Sequence, residues 1–105
     1  MAQFTVYRNK SARTKTTYPF VVDVQSDLLE DLHTRVVIPL SKAAALTKKS
    51  VSQLMPILPF DGETYVLMTP ELAGMAKTDL GPAAGSLAER RDAILAAMDF
   101  LLTGF

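Results

Sequence analysis

The chain has 105 residues, room for one domain and not for two, since domains commonly run to about 100–150 residues. Its composition of 49% hydrophobic and 21% charged residues suits a folded core and excludes a disordered chain. Equal numbers of basic and acidic residues leave no net charge to draw it to nucleic acid or anionic lipid, and the lack of cysteine removes thiol catalysis, thiolate metal sites and disulfides.

The start, Met1 to Tyr7, lacks the basic and apolar regions of a leader, and no stretch approaches the roughly 18 apolar residues of a membrane span. A cytoplasmic protein without membrane attachment is expected. Phe4 and Val6 alternate with Thr5 and Tyr7, which predicts a half-buried strand ending near Arg8. Asn9 to Thr17 is polar throughout and reads as an exposed loop. Tyr18 to Gln25 resumes an apolar, β-branched run, so 4–8 and 18–25 form a long-looped hairpin. The acidic and apolar segment Leu28 to His33 fits neither period. Arg35 to Leu40 is a strand in which Pro39, without an N–H, points to an edge or bent position.

Ser41 to Leu46, with three successive alanines, predicts one or two helical turns capped by Ser41. Leu54 to Phe60 and Thr64 to Thr69 flank Asp61-Gly62, a second hairpin. Thr69-Pro70-Glu71 reads as a short helix start with Thr69 at the cap and Pro70 in the first position, stopped by Gly74. Met75 to Leu80 is taken as a last strand before a Gly81-Pro82 turn. Ser86-Leu87-Ala88-Glu89 has the form of a capping box, and Ile94, Met98, Leu101, Leu102 and Phe105 follow at helical spacing. These give a terminal helix of roughly 17 residues. The expected architecture is one mainly β domain over residues 1–105 with a C-terminal helix.

Groups able to carry chemistry are few. His33 is the only histidine, so a multi-histidine metal site cannot be assembled within one chain, and its bland reading is an exposed loop residue. The carboxylates Asp27, Glu30 and Asp31, and Asp61 with Glu63, are explained by loops and turns, and the five glycines form no phosphate-binding fingerprint. No catalytic residue, metal or cofactor is assigned. Arg8, Lys10, Arg13 and Lys15 make a local positive patch on a neutral chain, suited to phosphates or an acidic peptide, while a solvated loop is the plainer reading. Asp92, Ala96, Asp99 and Thr103 fall on one narrow polar helix face. Leu101, Leu102 and Phe105 bring apolar side chains to the chain end, which implies burial there or a binding surface.

Gln3-Phe4-x-Val6-Tyr7, Val22-Asp23-Val24-Gln25-Ser26-Asp27, Arg35-Val36-Val37-Ile38-Pro39-Leu40 and a final helix ending in Gly104 plus one apolar residue resemble the CcdB toxin family, in register over almost the whole chain. The resemblance implies an SH3-like barrel of the CcdB/Kid/MazF type with a C-terminal helix, and a cytoplasmic bacterial homodimer. It implies a non-enzymatic toxin that binds the A subunit of DNA gyrase and traps gyrase on cleaved DNA. A CcdA-like antitoxin would neutralise it and join it in a complex on operator DNA. Carried over, the gyrase contact comprises Ser26, Leu28, Leu29, Asp99, Leu102, Thr103, Gly104 and Phe105, with the antitoxin expected at Arg8, Lys10, Arg13 and Lys15. The best-known family member ends in Trp-Gly-Ile, whereas here Thr103 stands in place of the tryptophan. A cation–π contact of about 0.5–2 kcal/mol is thereby absent. Ala96 and Asp99 also replace familiar amides. Two alternatives are an endoribonuclease toxin of the same fold, and a degenerate toxin that binds only antitoxin.

Overall fold

A computed structural model describes residues 2–42 and 53–104. Among these residues the order is β1 (Thr5–Asn9), β2 (Phe20–Asp23), β3 (Thr34–Lys42), β4 (Ile57–Phe60), β5 (Glu63–Leu67), β6 (Ala73–Ala76), β7 (Leu80–Ser86) and α1 (Arg91–Thr103). The strands form one sheet in the order β4-β5-β3-β2-β1-β7, with β6 attached to β3 and every pairing antiparallel. The sheet curls into a half-barrel, so this is the mainly β fold with a C-terminal helix that the sequence implies.

The first hairpin pairs Val6 with Val22 and Tyr7 with Val21. The strand around Phe20 is shorter than the apolar run: Tyr18, Pro19, Val24 and Gln25 lie outside it. Nor is β1 half-buried. Successive side chains point to opposite faces, and here both faces are covered. Val6, Val22, Ile38 and Leu40 join Ile94 and Ala97 of α1 in the main core, while Tyr7, Val21 and Val37 pack with Leu80 and Met75 on the other side. Phe20, Phe60 and Tyr65 meet edge-to-face inside the main core, at centroid separations of 5.3 to 6.3 Å.

Pro39 sits in a central strand, not at an edge, and the register shows why. β3 pairs with β2 along one side, while on the other it pairs with β6 up to Val37 and with β5 from Leu40. The Pro39 carbonyl accepts the Met68 N–H at 2.9 Å on that second side. A strand residue directs its N–H and C=O to the same edge, so the missing donor of Pro39 falls where one partner strand ends and the next begins. Ser41 is a buried residue of β3. Residues 43–46 of the expected helical turn lie outside the described residues.

The second hairpin forms as expected, with Asp61 and Gly62 at φ 52° and 80° in its two-residue turn. Thr69 is the first residue of the short 3-10 turn Thr69–Glu71 instead of its cap, and it is buried. Gly74 lies inside β6, and the expected strand 75–80 and turn 81–82 are replaced by β6, a 3-10 turn at Lys77–Asp79, and β7. A Gly-Pro pair is tolerated there because β7 ends the strand order and meets β1 with shifted register. Ser86 does accept a hydrogen bond, from Ala88 N–H at 3.0 Å, but the turn it opens is 3-10. The α-helix itself has 13 residues, from Arg91, and ends at Gly104 with φ 81°.

Candidate functional site

The turn after β2 is built on polar side chains inside the fold. Asp23 lies in an apolar strand and shares a face with Val21, next to Arg35 of β3, and both charged residues are 0% exposed. Arg35 Nε and Nη2 each reach Asp23 Oδ2 at 2.8 Å, and Nη2 also donates to the Gln25 carbonyl at 3.3 Å. Asp23 Oδ1 takes the Gln25 N–H at 3.0 Å. The Gln25 side chain then accepts from Val36 N–H at 3.0 Å and donates to the Leu29 carbonyl at 3.1 Å. Sequence reasoning passed over Asp23, Arg35 and this role of Gln25. The available signal was a carboxylate inside a Val-Val-Asp-Val run, where burial demands a partner.

Ser26 begins the 3-10 turn Asp27–Leu29, its Oγ accepting the Leu28 N–H at 3.2 Å. Asp27 Oδ1 accepts the Gln3 N–H at 2.7 Å and lies 3.8 Å from Arg35 Nη2. Gln3 is followed by Phe4 at φ 71°, a conformation a bulky residue rarely adopts. On this anchored turn Leu28 is 94% exposed and Leu29 48%. Leu28 and Leu29 therefore project apolar surface from the turn that Ser26, itself exposed, begins. This turn is tied to the beginning of α1, because the Phe4 carbonyl accepts Leu87 N–H at 2.8 Å and Arg91 lies over the Phe4 ring.

The second group lies at the other end of α1, a helix about 20 Å long. Ile94 and Ala97 are its buried residues and join the main core, and the helix also lies against the turn at 69–71. Asp99, Leu102, Thr103 and Gly104 are all exposed, with Leu102 at 75% and Leu101 at 37%. Leu101 and Leu102 thus do not continue the core stripe begun by Ile94. The Thr103 hydroxyl donates to the Asp99 carbonyl at 2.7 Å, so it is satisfied within its own helix. Phe105 lies outside the described residues.

The basic loop is exposed but ordered. Asn9 Nδ2 donates to Thr14 Oγ1 and to the Tyr18 carbonyl at 3.0 and 2.8 Å, which closes the loop over a turn between Ser11 and Lys15. Asn9 was not foreseen as its anchor. Lys10 Nζ donates to the Thr78 carbonyl at 3.1 Å, and the Arg8 guanidinium lies 5.5 Å from the Phe20 ring centroid. Arg13 and Lys15 are exposed further along the loop. His33 is exposed as expected, its carbonyl taking Lys77 N–H at 3.0 Å. No helix among the described residues is long and apolar enough to cross a membrane. A protein-family model described as CcdB protein matches residues 3–104.

Proposed function

Because the chain belongs to the CcdB family, whose members are the toxins of toxin–antitoxin pairs, we propose that it binds the A subunit of DNA gyrase and traps the gyrase–DNA cleavage complex, blocking replication and transcription. The observation that carries this reading is the exposure of Leu102 at the end of α1, because a leucine on a 13-residue helix is ordinarily placed on the packed side. Asp99, Thr103 and Gly104 share that helix end and, with Phe105, complete the contact, with Ser26, Leu28 and Leu29 as the second patch. Binding at such a surface follows from removing apolar area from water, about 25 cal/mol per Å² before ordering costs. The active species is a homodimer whose two-fold axis brings two helix tips together, giving one composite surface. The antitoxin segment is held by Arg8, Lys10, Arg13 and Lys15.

The test is a titration of a gyrase A-subunit fragment, with trapped DNA cleavage scored in parallel. Leu102→Ser and truncation after Thr103 are expected to melt normally and lose both binding and trapping, because neither alters Ile94 or Ala97. Thr103→Trp is expected to bind more tightly, by about the 0.5–2 kcal/mol of a cation–π contact. A truncated protein that melts normally and still traps cleavage would sink the assignment. Thr103, with its hydroxyl satisfied internally, supports a second reading as a degenerate toxin that binds antitoxin alone. A wild-type chain that binds antitoxin without touching gyrase would establish it, and cleavage of RNA in the same preparation would favour the endoribonuclease alternative.

A further inference from the structure

Burying an ion pair is a weak route to stability, since its apolar replacement is often neutral or stabilising. The Arg35–Asp23 pair is fully buried, and even here Arg35 Nη1 has no hydrogen-bond partner. Apart from the Val36 N–H that the Gln25 side chain accepts, the remaining contacts of this group lead towards one turn. Arg35 holds the Gln25 carbonyl, Asp23 holds the Gln25 N–H, and Gln25 holds the Leu29 carbonyl. Lys77 Nζ meets the carbonyl of Glu30, the next residue, from outside. A turn carrying a leucine that is 94% exposed is thus fastened to the interior of the sheet by charged and amide groups.

Resting on the gyrase reading above, we infer that Arg35, with Asp23 and Gln25, is a positioning residue that holds the 26–30 turn rigid so that Leu28 and Leu29 meet gyrase already ordered. An apolar side chain on a loose turn must be immobilised on binding, and fixing it beforehand removes that entropic cost. The fully buried pair is retained for the conformation it specifies and not for net stability.

The test uses the full chain with Asp23→Asn combined with Arg35→Met. This pair removes both buried charges while the introduced amide keeps an oxygen for the Gln25 N–H, so the fold is expected to survive with little change in melting temperature. NMR order parameters for the amides of residues 28–30 are expected to fall from about 0.85 towards 0.6, with those of β1 and β2 unchanged. Affinity for the gyrase A-subunit fragment is expected to fall about ten-fold. Arg35→Lys keeps the charge beside Asp23 but loses the planar fork, and is expected to recover part of both losses. Should the double variant fail to fold, Gln25→Met cuts the link to Leu29 without touching the ion pair and carries the same expectation. Unchanged order parameters in a folded variant would overturn the inference. If the wild type does not bind gyrase at all, the functional reading fails, and the order parameters still decide whether Arg35 positions the turn.

Discussion

Gly104 shows how one backbone angle sets the direction of the chain end. It sits at φ 81°, its N–H reaches the Phe100 carbonyl at 2.9 Å, and a β-carbon added there would meet nothing within 4 Å. The cost of Gly104→Ala is therefore conformational, about 1–2 kcal/mol locally, and Gly104→Asn is expected to be milder because asparagine tolerates that region. Helix fraying read by amide exchange at Phe100 to Thr103 checks the ranking. Tyr7 supplies a second expectation at this scale. Burial first, and the Asp23 carboxylate second, raise its phenol above the ordinary 10.0. A raised folded pKa means that the neutral form is favoured in the native state. The stability it contributes is fully present below pH 10.0 and is lost as pH rises through the folded value. Denaturant midpoints measured across the alkaline range are expected to decline less steeply in Tyr7→Phe. Tyr65, raised by burial and then by Glu63, leaves a residual slope.

The elements that were legible in the sequence are those where local chemistry and tertiary setting agree. The Asp61-Gly62 hairpin and the helix stop at Gly104 depend on backbone preferences that no distant contact overrides. Pro39, Gly81 and Pro82 misled because their local meaning depends on which side of a strand is paired, information that lies in β5, β6 and β1. Asp23 and Arg35 are twelve residues apart and neither has a sequence signal until the register joins their strands. The candidate tip was legible from the apolar chain end, whereas the network beneath Leu28 was not. The curl of the sheet is a further long-range feature, and Gly85 makes it testable. β4 and β7 end the strand order, yet a β-carbon on Gly85 would lie 2.8 Å from the Phe60 ring. That ring is wedged against Phe20 and Tyr65, so it cannot simply move aside. Gly85→Ala is expected to destabilise by about 1–3 kcal/mol in denaturant unfolding. Phe60→Leu is expected to relieve part of this, so that the two changes are less than additive. Strict additivity would mean that the cost at Gly85 comes from its backbone, at φ 159°, and not from the Phe60 ring.

At the scale of the whole molecule, zero net charge means that any electrostatic steering must come from a local patch. The four basic residues proposed to hold the antitoxin are not equivalent. Lys10 is engaged on the Thr78 carbonyl and fastens the loop to the half-barrel, whereas Arg8 belongs to β1 and lies over the ring of Phe20, its cross-strand partner in β2. Arg13 and Lys15 are exposed at the loop's outer turn, where a charge acts on an approaching acidic segment through solvent. Exposed charges of this kind alter association rate and salt dependence more than they alter the bound complex, and at physiological ionic strength their reach is about 8 Å. Arg13→Ala with Lys15→Ala is therefore expected to leave the melting temperature unchanged, to slow antitoxin association several-fold at low salt, and to flatten its dependence on salt. Lys10→Met is expected to lower the melting temperature, because it releases the tie between the loop and the turn before β7. Stopped-flow association over a salt series, beside thermal melts of the free toxin, separates the two roles. Equal loss of association rate from both changes, with no difference in melting, would mean that the loop acts as one undifferentiated patch of charge and that its tie to Thr78 carries no weight.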